Sequence, residues 1–132
     1  MPFLTRERDV FVTLADRVNQ LNRSRCALVL SLHINAAVRS EPRYISAFIC
    51  GRGGRAETAA GRLLGAVVQA TGWPNGGVRT QPFYVLRKTT APAVLLELGF
   101  ISNPEQEREL LRTEVQDNLA GVISREIAEM VV

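Results

Sequence analysis

The chain is poor in several residue types, and each scarcity excludes something. It has one lysine, Lys88, and one histidine, His33, among 132 residues. Its formal charge is +3, from 16 basic and 13 acidic residues. No basic run is dense enough to form a nucleic-acid stripe. Two cysteines, Cys26 and Cys50, cannot make a disulfide framework, and no CxxC is present. Each borders an apolar segment, so both are expected as buried free thiols. The opening MPFLTRERD has no basic segment followed by a long apolar run, so neither a secretory signal nor a membrane span is expected in this chain.

What is present describes a globular domain. Hydrophobic residues make up 46% and charged residues 22%, and the length is enough to bury a core. Helical spacing of Phe11, Leu14, Ala15, Val18 and Leu21 predicts an amphipathic helix over residues 10–22. The nearly unbroken apolar run at the start of CALVLSLHI, residues 26–34, predicts a strand covered on both faces. YISAFIC, residues 44–50, predicts a second strand, and residues 56–71 a helix carrying Leu63, Leu64, Val67 and Val68. GWPNGG, residues 72–77, reads as a turn, PFYVLR, residues 82–87, as a short strand, and AVLLELGF, residues 93–100, as another buried strand. Asn103-Pro104-Glu105-Gln106 has the form of a capping box, with Asn as N-cap, Pro in the first turn and Gln at the third position. A last helix follows, with Val115, Leu119, Val122, Ile123, Ile127 and Met130 on one face. This order predicts an α/β fold with a sheet flanked by helices on both faces, in a single domain over residues 1–132. The chain opens on a helix, whereas such a domain usually begins with a strand that carries part of the site.

Two polar groups interrupt apolar strands at the carboxyl ends, where ligands bind in such sheets. They are His33 in SLHINA and Glu97 in LLELGF. A carboxylate buried alone there costs several kcal/mol, about as much as other unpaired buried charges, unless it is neutralised or paired. Together the two suggest a metal-activated water with a carboxylate as general base. The plainer readings are a hydrogen-bonded core histidine and a glutamate paired with Arg79 or Arg87. Spacing alone leaves both readings open. No HExxH, Cys/His cluster, nucleophile elbow or phosphate loop is present, and Gly51-Arg52-Gly53-Gly54 lacks the Lys-Ser/Thr of a P-loop.

The segments LTRERDVFVTLADRVNQLN, CALVLSLHINA and VRTQPFYVLRKTTAPAVLLELGFISNPEQERELL, followed by an amphipathic helix, resemble successive motifs of the zinc-dependent N-acetylmuramoyl-L-alanine amidases of the Amidase_3 type. The resemblance runs from about Leu4 to the last helix. It implies a mostly parallel twisted sheet and a peptidoglycan hydrolase that cuts the amide between the lactyl group of N-acetylmuramic acid and L-alanine. It also implies action in the periplasm, cell wall or extracellular space. The family's zinc is held by His, Glu and His. His33 matches the last of these ligands, and Glu97 matches the catalytic glutamate, which implies a general base. Asn35, two residues past His33, is a candidate for orienting ligand or substrate, with loop capping as the alternative. Arg79 is a candidate for binding a substrate carboxylate or pairing with a core acid.

The chain departs from the family pattern at its start. The histidine-glycine motif and the following glutamate, which supply the first two zinc ligands, are not in this chain. About one strand-helix-strand unit, on the order of 30 residues or more, is expected to be missing. Because a catalytic zinc needs three protein ligands, weak zinc binding and no independent activity are expected. The lost strand is expected to expose apolar edges or to force oligomerisation. Three readings follow: a truncated amidase, which is favoured because the remaining motifs are intact; one half of a split enzyme completed by an N-terminal fragment; or a non-catalytic peptidoglycan- or protein-binding module.

Overall fold

The structure, a computed structural model, describes residues 1–131. Helix α1 spans Leu14–Ser24. It begins later than the apolar periodicity suggests, because Thr13 stops it: the Thr13 hydroxyl accepts from the Asp16 N–H at 3.0 Å. Such a cap contributes about 1 kcal/mol. Strand β1 spans Val29–Asn35 and strand β2 Ile45–Ile49. Helix α2 spans Arg55–Thr71, strand β3 Asn75–Thr80 and helix α3 Tyr84–Lys88. Strand β4 spans Ala93–Phe100, and helices α4 and α5 span Pro104–Leu110 and Thr113–Val131.

The four strands lie in the order β1-β4-β2-β3. β1 pairs parallel with β4, and β2 parallel with β3, while β2 and β4 are antiparallel. The expected α/β architecture with a mostly parallel sheet is therefore present. Alternation along each strand divides its side chains between two faces. On one face Ile45, Ala47, Ile49, Val94 and Leu96 meet Leu63 and Val67 of α2 and Leu119, Val122 and Ile123 of α5. On the other, Val29, Ala93 and Leu95 meet Val85 and Leu86 of α3, with Leu21 of α1 and Phe48 packed against them.

Two expectations are corrected. PFYVLR is not a strand: Tyr84–Lys88 is a helical turn, with the N–H groups of Leu86 and Arg87 both donating to the Phe83 carbonyl. Val85 and Leu86 are neighbours buried in the same cluster, which a helical turn allows and a strand, pointing them to opposite faces, does not. Conversely, part of the expected turn 72–77 is strand, since β3 starts at Asn75. Its glycines conceal it. A side chain at Gly76 would collide with the Tyr44 ring and the Ile45 carbonyl, so glycine is what lets β3 approach β2.

The cysteines also depart from expectation. Both are free, but Cys50 is exposed and Cys26 half-buried. Cys50 lies one residue past β2, on the bend that leaves the sheet.

Candidate functional site

His33 and Glu97 come from strands far apart in sequence and adjacent in space. They are register partners in the parallel β1/β4 pair. Parallel partners point to the same face, and here it is the α1/α3 face, because Glu97 is two residues from Leu95 of that cluster. The antiparallel β2/β4 pair sets Ser46 opposite Glu97 on its other flank. His33, Glu97 and Ser46 thus form one row across three strands. Arg79 of β3 is opposite Phe48, which belongs to the same face, so it lies one step along from that row.

The electrostatics of the row are those of a half-sheltered site. Burial raises the Glu97 carboxyl above its ordinary value of 4.5. Its Oε2 is buried and has no hydrogen-bond partner among the described residues. Neither Arg79 nor Arg87 forms an ion pair with it among the described residues. The His33 pKa is lowered from 6.5, chiefly by partial burial and then by the positive charges of Arg17 and Arg6. Its ring is on the exposed edge of the sheet and shares a 2.9 Å hydrogen bond between Nε2 and the Ser31 hydroxyl. A neutral imidazole is the form that binds metal, and a glutamate with a raised pKa is closer to the ideal for a base near neutral pH.

Asn35 and Arg79 are engaged locally. The Asn35 side-chain oxygen accepts from the Ala36 N–H at 2.9 Å, and its carbonyl accepts from Ile101 N–H at 2.8 Å. A register shift separates Asn35 from His33. The Arg79 guanidinium stacks over the Tyr44 ring at 4.9 Å, and its Nε donates to the Gly76 carbonyl at 3.0 Å. Tyr44 packs edge-on against Phe100, ring centroids 4.8 Å apart. Stacking thus fixes Arg79 at the rim of the site face, where it is exposed.

The end of β4 is held by a group whose expected role was different. Asn103 caps α4, accepting from Gln106 N–H at 3.0 Å. Gln106 does not complete the capping box. It is fully buried; its Oε1 accepts from Phe100 N–H at 2.6 Å and its Nε2 donates to the Arg43 carbonyl at 2.8 Å. Asn103 Nδ2 donates to the Ser40 carbonyl at 3.0 Å, and Ser102 Oγ accepts from Ala37 N–H at 2.9 Å. The segment after Glu97 therefore clamps the loop that follows His33. A side chain at Gly99 would run into the Gln106 amide.

The donor set is short for a catalytic zinc. Among the described residues no group of three His, Cys, Asp or Glu is placed to hold a metal. His33 is the only imidazole, and Glu97 beside it leaves two donors where three protein ligands are required. These residues do not by themselves fit a complete zinc site.

The Amidase_3 family pattern, described as N-acetylmuramoyl-L-alanine amidase, matches residues 2–129. The chain belongs to this family. Among its amidase relatives, LytC of Bacillus subtilis is 29% identical over 93% of this chain, which spans 25% of LytC. The catalytic domain of CwlV, an amidase from Bacillus (Paenibacillus) polymyxa var. colistinus, superposes with a TM-score of 0.89. It is 31% identical, and the match covers 96% of this chain and 70% of that one. The amidase AmiC2 of Nostoc punctiforme gives a TM-score of 0.89 at 29% identity, with 96% and 70% covered. The four-stranded sheet and its flanking helices thus match a large part of these solved amidases, and the chain spans only a fraction of the length of its longer relatives.

Proposed function

We propose that these residues form the general-base part of a peptidoglycan amidase site, within a single partial catalytic domain. The observation that carries this reading is the juxtaposition of His33 and Glu97 as register partners at the carboxyl ends of β1 and β4, in a chain that belongs to an amidase family. The substrate bond is the amide joining the lactyl group of N-acetylmuramic acid to L-alanine. Glu97 removes a proton from the attacking water as its oxygen bonds to the amide carbon. The same carboxyl then gives that proton to the L-alanine nitrogen as the carbon–nitrogen bond breaks. Desolvation without a counter-charge keeps Glu97 a stronger base than a surface glutamate. Asn35 supports the loop behind His33, and Arg79 offers a cation at the rim for a stem-peptide carboxylate.

His33 is assigned as one zinc ligand, with the other two supplied by polypeptide outside these residues. The exposed edge of the sheet supports that assignment. Leu32 and Ile34, on either side of His33, are 54% and 46% exposed, and among the described residues no strand pairs with the outer side of β1. Further polypeptide, whether an adjoining segment, a complementing fragment or a second copy, would cover these residues and bring ligands toward His33. Such an enzyme works on the wall, in the periplasm or outside the cell. No helix among the described residues is long and apolar enough to cross a membrane.

The test compares these 132 residues with a protein extended to the length of the solved amidase domains. Both are incubated with purified peptidoglycan and zinc, and newly exposed L-alanine amino termini are counted. Release by the extended protein and little or none by the short chain is the expected result. Retention on sacculi without cleavage by either protein would favour a binding module instead.

A further inference from the structure

We infer that Ser46 is the positioning residue for Glu97, its hydroxyl bound to the carboxyl across the β2/β4 pair, directly or through one buried water. Three buried side-chain polar atoms lack a partner among the described residues: Arg43 Nε, Ser46 Oγ and Glu97 Oε2. Two of the three belong to residues directly opposite one another. Opposite residues in an antiparallel pair have Cβ atoms about 4.5–5.5 Å apart and point to the same face. The neighbouring pairs confirm the facing: Ala47 and Leu96 lie together in the α2/α5 core, while Phe48 and Leu95 lie together on the other side.

Ser46 is completely buried. A buried hydroxyl left unpaired costs about 1–3 kcal/mol, so two orphaned groups facing each other across one strand pair satisfy each other at small cost. A serine rotor swings between its staggered positions with little resistance, whereas Glu97 is confined between β1 and β2. The chemistry also suits the role proposed for Glu97, on which the functional half of this inference rests. A hydroxyl is both donor and acceptor. It donates to Glu97 when the carboxylate is ionised and accepts from it when the acid carries the proton, so one side chain holds the base in place through both halves of the cycle.

A double-mutant thermal cycle tests the pairing without any assay of catalysis. Ser46→Ala, Glu97→Met and the double variant are melted beside the parent chain. The expected result is that Ser46→Ala lowers the melting temperature by several degrees when Glu97 is present, and leaves it unchanged or raises it in Glu97→Met, where the hydroxyl has lost its partner. Ser46→Thr, which keeps the hydroxyl, restores the parent value. An equal shift from Ser46→Ala in both backgrounds, in either direction, overturns the pairing. In the extended protein, Ser46→Ala is expected to lower kcat at least tenfold with KM unchanged, and Ser46→Thr to recover it. A parent that cleaves no peptidoglycan would sink the amidase reading and leave the thermal cycle standing; an active parent indifferent to Ser46→Ala would remove the positioning role.

Discussion

The two faces of this sheet are made from the same strands and do different work. In β4, Val94 and Leu96 point to the α2/α5 side, where two long helices bury them completely. Their neighbours Leu95 and Glu97 point to the α1/α3 side, which has a shorter helix, a single-turn helix and a smaller cluster. On that second face β1 and β4 are apolar only over their first part, and β2, which runs the other way, only over its last. Beyond that core it carries His33 and Glu97, toward the carboxyl ends of β1 and β4, and Ser46, at the amino end of β2, with Arg79 at the rim. One face thus stabilises the fold, and the other combines a modest core with an open polar row. A strand that must serve both faces reads as an apolar run, and the site shows only where that run breaks.

Paired truncations sharpen the contrast most. Leu96→Ala is expected to destabilise by about 3–5 kcal/mol, since the site is fully enclosed and cannot collapse. Leu95→Ala, one residue away on the smaller cluster, should cost about 2–3 kcal/mol within the same range of core truncations. Denaturant unfolding of both variants measures the difference, and equal losses would erase the distinction between the faces. Gln106→Leu should come next, at about 2–3 kcal/mol, because it orphans the Phe100 N–H and the Arg43 carbonyl. Hydrogen exchange should quicken at Phe100 in that variant while β2 and α2 stay protected.

The smallest effects are those of pH, and they belong to the site face alone. Glu97 has a raised folded-state pKa, so its contribution is fully present below the ordinary glutamate value and is lost as pH rises through the raised one. His33 has a lowered pKa, so its contribution is present above about 6.5, the ordinary histidine value, and is lost as pH falls through the lowered one. Relative to Glu97→Gln, the parent chain should therefore lose stability on raising the pH from the ordinary glutamate value. Relative to His33→Asn, it should lose stability on lowering the pH below the ordinary histidine value. Melting curves across pH 4–8, roughly the span of both ordinary pKa values, resolve the two slopes.

Much of this was legible in the sequence. AVLLELGF is β4 residue for residue, and the apolar face foreseen for the last helix packs as expected, because long periodic or unbroken patterns leave few alternatives. His33 and Glu97 stood out as polar breaks in such patterns. PFYVLR did not reveal its helical turn, since five residues carry no periodicity, and Asn75–Thr80 was hidden by two glycines, of which Gly76 serves close approach and Gly77 takes a positive φ where the pairing with β2 is irregular. Ser46 was invisible for another reason. A serine within YISAFIC is unremarkable until the register sets it against a half-buried carboxylate. Gln106 sat at the right place for a capping box, yet tertiary partners on β4 and the β1–β2 loop claimed its amide.

The most direct measurement is the rate at which the extended protein opens the lactyl–L-alanine amide, with Glu97 and with Glu97→Gln. Loss of a positioned general base should lower kcat by about 10²–10⁴-fold, while the variant melts no earlier than the parent at neutral pH. An extended, active protein whose rate is unchanged by Glu97→Gln would show that the polar row on the α1/α3 face is not where the base resides.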